Sequence, residues 1–361
     1  MLKKMSLITV LALGLGVSLL GGCPPPGDDD DDALKAGFIY VGPPGDLGWT
    51  YAHDQGRKDA EQAVEGLVTT YIENVTPADA QAKIEELVTA GNDIIFTTSF
   101  DFMDPTLAVA TAHPDVTFEH CSGYKTATNM SNYFGRMYQA RYLTGIVAAS
   151  MSTTHKIGIA AAVQIPEVIR HINAIALGAR SVDPVVELHV RWVHAWYDPT
   201  GAEARTQELI TDGCDVILQD TDDSTPITAA QTANVYAIGY NSDVASFAPA
   251  NVLTSAVWNW GLYYAERIKA VRDGTWTSQA YWGGIESGLV GLGTWGAMVP
   301  QSVKDLVAQK RTALESGSFD VFDGPFNKQD GSVWKSTGQS LTDEEMLGMS
   351  EYVEGVVGTL N

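Results

Sequence analysis

Three aspartates crowd one short stretch, Asp220, Asp222 and Asp223, and carboxylates suit a hard cation such as calcium or magnesium. The spacing of a helix–loop–helix calcium site and its closing glutamate are both missing, so Asp220 reads instead as a hydrogen-bond acceptor in a cleft. His189 and His194 lie five apart around an apolar run and face opposite ways, which suits no simple metal pair. Cys121 and Cys214 fall in or beside apolar runs, where thiols are buried and inert. The chain has no Gly-x-x-x-x-Gly-Lys-Ser/Thr, His-Glu-x-x-His, Cys-x-x-Cys or Gly-x-Ser-x-Gly, so phosphate-loop, zinc and serine-hydrolase chemistry find no support. No cofactor is implied. Nine Trp and fourteen Tyr are more than solubility needs, a surplus suited to gripping a flat ligand.

These residues need elements to position them, and the body supplies a regular alternation. Apolar or β-branched runs at 36–42, 67–73, 93–99 and 116–122 read as strands. Helical stretches at 50–66, 77–91 and 104–113 separate them. After a long helix at 136–152 the pattern restarts, with strands at 156–162, 186–193, 216–220 and 235–240. Helices at 166–179, 201–212, 224–233 and 258–272 go with them. Such alternation implies an α/β fold of two lobes, each a parallel sheet with helices on both faces. In such sheets ligands sit beyond the carboxyl ends of the strands. The loops to inspect are therefore 42–51, 97–104, 194–199, 220–226 and 240–243.

The 361 residues carry 22 Lys+Arg against 44 Asp+Glu, a net charge of −22, which repels a phosphate backbone and argues against nucleic acid as partner. Residues 1–22 combine a basic start (Lys3, Lys4) with an apolar run, Ser6 to Leu20, too short and Gly-rich for a membrane span. The run ends in Leu20-Gly21-Gly22-Cys23, which resembles a bacterial lipoprotein signal and implies cleavage before Cys23 and lipidation of that residue. Cleavage would remove two lysines and no acids, deepening the charge to −24. Residues 23–34 follow as a Pro-rich, acidic tether with five consecutive aspartates, Asp28 to Asp32. The expected location is the cell envelope, anchored to a membrane by lipid.

The segment Tyr40 to Arg57, YVGPPGDLGWTYAHDQGR, resembles the opening of the basic membrane protein family. Further similarities lie at Thr97–Pro105, Tyr142–Ala149, Gly213–Ile217, Ala237–Asp243 and Leu253–Ser255. The family consists of lipoproteins that serve ABC transporters as purine-nucleoside receptors. The resemblance implies a type I periplasmic-binding-protein fold: two Rossmann-like lobes, three crossovers and a cleft between them. Lobe 1 is expected at 35–150 plus 250–285, and lobe 2 at 151–249 plus 286–361. A monomer is expected, with a purine as ligand and a membrane permease as partner. The Gly-Asp-x-Gly-Trp-Thr-Tyr-x-His-Asp variant resembles an adenine-binding branch.

Carried over position by position, Asp46 matches an acid that accepts from purine N–H groups, and Trp49 replaces a stacking Phe. Trp196 takes the base-sandwich position of the second lobe. Phe100 and Asp104 border the same cleft edge, where packing and a helix cap are the plain alternatives. The family's ribose-binding acid and lysine fall on Asn241 and Trp258, or the acid on Asp243 if the alignment slips by two. Loss of that polar clamp points to a free base such as adenine over a nucleoside. Riboflavin or another flat heterocycle is the alternative ligand, and a membrane-receptor sensor the alternative role. A nucleoside hydrolase would need a metal cluster or a placed acid–base pair.

Overall fold

The computed structural model describes residues 33–45 and 47–360. The signal segment, Cys23, the acidic tether and Asp46 lie outside the described residues. In chain order the first half runs β1 (Lys35–Ile39), α1 (Trp49–Ala63), β2 (Val68–Ile72), α2 (Ala80–Thr89), β3 (Ile94–Thr97), α3 (Met103–Ala112), β4 (Thr117–Cys121), β5 (Met130–Gly135) and α4 (Met137–Met151). The second runs β6 (Lys156–Ala161), α5 (Pro166–Arg180), β7 (Glu187–Trp192), α6 (Pro199–Thr211), β8 (Val216–Gln219), α7 (Thr225–Thr232), β9 (Tyr236–Asn241), β10 (Val252–Trp258) and α8 (Trp260–Arg272). Last come β11 (Ala280–Gly283), β12 (Val290–Leu292), α9 (Gln301–Glu315), β13 (Phe326–Asn327), β14 (Val333–Lys335), α10 (Asp343–Leu347) and β15 (Val356–Val357).

Two α/β lobes result. The first sheet has the order β11-β5-β4-β3-β1-β2 and the second β12-β10-β9-β8-β6-β7-β15. All pairings in both are parallel except β10 with β12. Each sheet is doubly wound: β1 turns to β2 on one side and β3 on the other, and β6 to β7 and β8 likewise. The crevice at such a reversal, beyond the strand ends, is where ligands bind in this architecture. It singles out the loops after β1, β3, β6 and β8.

The chain passes between the lobes three times: β5 to α4, β10 to α8, and β11 to β12. Helix α4 packs on α5 of the second lobe, and α8 on α1 of the first. Strand order thus places β10 in the second sheet and β11 in the first. The first two crossings fall at single residues, Arg136 and Asn259, each between two adjacent elements. Trp258, expected to open a helix, instead ends β10. Helix α4 is buried continuously from Met137 to Ala149, so it has no polar stripe. It approaches α5 closely: a Cβ on Gly145 would lie 2.1 Å from the Ile175 carbonyl oxygen, and one on Gly178 2.0 Å from that of Tyr142. No helix among the described residues is long and apolar enough to cross a membrane.

Candidate functional site

The loop after β1 brings Leu47, at φ 63°, and Gly48 to the start of α1. Trp49 is the first residue of that helix, and its indole Nε1 donates to the Thr98 carbonyl at 2.7 Å, beyond the end of β3. Its ring stands almost perpendicular to three others: His53 at 4.3 Å, Trp258 at 5.7 Å and Trp260 at 5.7 Å. Those three stack on one another, Trp258 on Trp260 at 4.7 Å and 13°, and Trp260 on His53 at 4.7 Å and 13°. Residues 258 and 260 flank one of the lobe crossings, so this aromatic stack lies at the junction of the lobes. His53 is buried, with Nδ1 2.5 Å from the Tyr264 hydroxyl, and burial holds its pKa well below the ordinary imidazole value.

From the second lobe, Asp222 faces the start of α1. One of its oxygens accepts the Trp49 backbone N–H at 3.2 Å and the Asn241 side-chain amide at 2.7 Å. The Asn241 amide oxygen in turn accepts from Trp258 Nε1 at 2.9 Å. Asn241 has φ 68° and is buried. Ser242, next in the chain, donates to the Leu47 carbonyl at 2.6 Å. Trp196 is 37% exposed, and its carbonyl accepts the Asp222 N–H at 2.8 Å, so its loop is tied to the same carboxylate-bearing loop. The structure therefore gathers Trp49, Asn241 and Trp258 into one hydrogen-bonded and ring-packed group, with Trp196 attached through backbone.

Four other expected residues sit elsewhere. Asp220 is fully buried in an ion pair with Arg141, with His171 3.6 Å away, and Arg141 lies over the Tyr240 ring at 4.1 Å. It braces the floor of the second lobe instead of offering an acceptor to the cleft. Asp243 is exposed and accepts backbone N–H groups of Thr294 at 2.8 Å and Ala245 at 3.1 Å, which pull its carboxyl below the usual range although burial pushes the other way. It caps a turn. Asp104 pairs with Lys125 at 2.6 Å, and Phe100 is 53% exposed beside Tyr124, with ring centroids 6.4 Å apart. These two form a rim on the first lobe.

Three participants were given no ligand role from the sequence: Asp222, weighed only as a cation ligand, and Ser242 and His53, which lie inside segments that resemble the family. Asp223 joins them. Its Oδ1 accepts the Thr225 N–H at 2.9 Å, while Oδ2 is buried without a hydrogen-bond partner. A carboxylate oxygen in that position is costly unless something donates to it. The signal for both aspartates was the strand order, since their loop follows β8 at the reversal of the second sheet.

Comparison with known proteins agrees with this architecture. Residues 33–317 match the family model of PnrA-like ABC transporter substrate-binding proteins. A purine-binding protein of Brucella abortus is 47% identical over 327 residues, covering 90% of this chain and 93% of that one. A protein of Haloferax volcanii, provisionally named an ABC transporter glucose-binding protein, is 40% identical, covering 91% of this chain and 81% of its own. Among solved structures, an ABC transporter solute-binding protein from Conexibacter woesei superposes with a TM-score of 0.71 at 21% identity, covering 80% of this chain and 98% of that one, and supports the type I binding-protein fold. On the strength of the family match and the long, high-identity alignments, the chain belongs to the basic membrane protein family of ABC transporter substrate-binding proteins.

Proposed function

We propose that this protein captures a free purine base, adenine in preference to a nucleoside, between its two lobes and hands it to a membrane permease. The observation that carries this reading is the closed chain of hydrogen bonds Trp258–Asn241–Asp222–Trp49. Both polar ends of the Asn241 amide are engaged within the protein, and an indole fills the neighbouring volume. Ribose hydroxyls would find neither a ready acceptor nor space there. Aromatic faces at Trp49 and Trp196 suit a flat heterocycle, each stacked base being worth about 1–3 kcal/mol. Asp223 Oδ2 is the acceptor for an N–H of the base, which would supply the hydrogen bond that this buried oxygen lacks. The purine-binding Brucella relative supports the solute class. A base bridging both lobes binds the closed form better and shifts the population towards it.

Calorimetric titration of solute-stripped protein tests the reading. Adenine should bind at least tenfold tighter than adenosine; the reverse order by tenfold refutes it. Glucose, after the name of the Haloferax relative, and riboflavin, another flat heterocycle, are the competing solutes; tight binding of either without adenine binding also refutes it. Lipid attachment at Cys23 and an extracytoplasmic location belong to the same proposal. They predict incorporation of labelled palmitate into the wild-type chain and none into Cys23→Ala.

A further inference from the structure

The first crossing between the lobes is Arg136 alone, between β5 and α4. This residue is fastened to the first lobe. Its N–H donates to the Gly283 carbonyl at 2.7 Å and its Nε to the Trp282 carbonyl at 3.1 Å, both in β11. The guanidinium lies over the Trp282 ring at 4.2 Å, and the Trp282 indole donates to the Gly135 carbonyl at 3.0 Å. Both terminal nitrogens of Arg136 donate to the Asp343 carboxylate, at 2.9 and 2.8 Å, and one of them also reaches the Tyr138 hydroxyl at 3.0 Å. The fork of an arginine on two carboxylate oxygens fixes direction as well as distance.

Asp343 opens α10, and α10 is fastened to the second lobe along α5. The Met346 carbonyl accepts from Arg170 at 2.6 Å. Further on, Asn173 donates to the Glu351 carbonyl at 2.8 Å and accepts the Val353 N–H at 3.0 Å, Arg180 pairs with Glu354 at 2.9 Å, and β15 pairs with β7. A capping box of Thr342 and Glu345 supports the short helix itself. The whole segment lies beyond residues 33–317, the part matched by the family model. Arg170 also lies over the Trp282 ring, at 5.2 Å. Burial first, and the Arg136 charge after it, lower the pKa of Arg170, so the two guanidiniums feel one another. Asp343 supplies the counter-charge at the crossing.

We propose that α10 is a latch on the hinge, binding the crossing residue Arg136 to the second lobe and so favouring the closed arrangement of the lobes. Ser242 Oγ meets the Leu47 carbonyl across the cleft at 2.6 Å, so the lobes are closed in this structure. Rotation about the crossing moves β11, with Trp282 and Arg136, against α5 and α10. It strains the Arg136–Asp343 pair and the Arg170–Trp282 contact together, and closing restores both. The latch sits at the hinge and touches no solute, so it does not depend on the solute being a purine.

The test reads lobe separation without solute. In the full chain, spin labels at Glu65, near the end of α1, and Thr232, at the end of α7, report the distance between lobes by pulsed dipolar spectroscopy. Asp343→Asn should move the open-to-closed ratio roughly two- to fivefold towards open, the size of a well-formed ion pair near the surface. Asp343 is exposed, so this change leaves the core intact. Arg136→Gln should move the ratio in the same direction. If the two residues act as one latch, the double variant moves it no further than Arg136→Gln alone, whereas a carboxylate that merely supports α10 gives shifts that add. Melting curves establish which variants are folded. Distance distributions of folded Asp343→Asn and Arg136→Gln superimposable on wild type overturn the proposal, and so does a double variant whose shift is the sum of the two, whatever the titrations say about purines.

Discussion

Trp258→Phe separates a specificity role for this indole from a packing role. The side chain is 6% exposed, stacked on Trp260 and 5.5 Å from the Phe134 ring. A phenyl group keeps most of that apolar contact but deletes Nε1, which donates to the Asn241 oxygen at 2.9 Å. A buried acceptor left unmet costs about 1–3 kcal/mol. Adenine has no hydroxyl to offer there, so its affinity should change little beyond a small loss of rigidity. A ribose hydroxyl could donate to the freed oxygen and enter the volume vacated by the indole. Recovering about 1.4 kcal/mol corresponds to tenfold, so the ratio of adenosine to adenine affinity should rise about tenfold. Calorimetry with both solutes on stripped wild-type and variant protein measures that ratio directly. A ratio unchanged within twofold, in a variant shown by melting to be folded, would refute the argument that the Trp258–Asn241 pair excludes the sugar.

Three further outcomes follow from particular residues. Trp196→Ala should weaken purine binding by about 1–3 kcal/mol, with a melting temperature near wild type, because the ring is part-exposed and its loop is held by backbone through Asp222; unchanged affinity removes Trp196 from the site. Asp223→Asn should weaken adenine binding about tenfold or more while raising solute-free stability, since it relieves an unpartnered buried carboxylate oxygen; loss of both, read by calorimetry and urea melts, would mean that the oxygen is structural. Stability should also fall as pH drops from about 6.5 towards 4. Burial depresses His120 to about 3 and His171 to about 4 from an ordinary 6.5, and His53 well below it, so the unfolded chain takes up protons that the folded one refuses. Each histidine contributes a slope of at most about 1.4 kcal/mol per pH unit. Glu167, pushed up to about 7 mainly by desolvation, acts oppositely between about 4.5 and 7, favouring the folded state on the acid side. Glu119 and Asp320, also raised mainly by desolvation, act in the same sense as Glu167 nearer the acid end, whereas the histidines refuse protons from about 6.5 downward. The loss of stability is therefore expected between about pH 6.5 and 5 and is checked by urea unfolding at pH 7, 6 and 5, where a flat or rising series contradicts it.

The alternation of the first 120 residues was legible because each strand there is a short run of apolar, β-branched and aromatic residues set between helix-forming stretches. Strands β5 and β10 were not. Met130–Gly135 mixes Ser, Asn, Tyr and Gly, since it is buried on both faces beside β4 and β11 and shows no period. Val252–Trp258 runs into α8 with only Asn259 between, so strand and helix read as one apolar stretch. Beyond residue 280 the strands are two to four residues long, below what periodicity can register. For the site, the residue types at 49, 196, 241 and 258 were legible, but their partners were not. Trp49 and Asp222 are 173 positions apart, and no local pattern signals a carboxylate that accepts a backbone N–H of the other lobe. Asp220 misled for a related reason: an acid at a strand end looks the same whether it faces a ligand or a buried arginine, and only Arg141, 79 positions earlier, decides.

The aspartates around the cleft make a stronger argument about the solute than the net charge does. Asp104 is neutralised by Lys125, Asp220 by Arg141, and Asp243 is consumed by backbone N–H groups. Asp222 holds a helix terminus and an amide. Four acids that the sequence places at strand ends are thus committed to the protein's own polar groups, and a cationic or polyhydroxylated solute would have to break those contacts to use them. Among the described residues, aromatic surface at Trp49 and Trp196 is left for a ligand, with Asp223 Oδ2, Gln219 Oε1 and Thr221 Oγ1 of one loop buried without a hydrogen-bond partner. Under the proposed reading, stacking area with a few acceptors awaiting a donated hydrogen suits a flat, neutral heterocycle bearing N–H groups better than a hexose. On that reading the specificity of the cleft is set less by the groups it offers than by the groups it has already used.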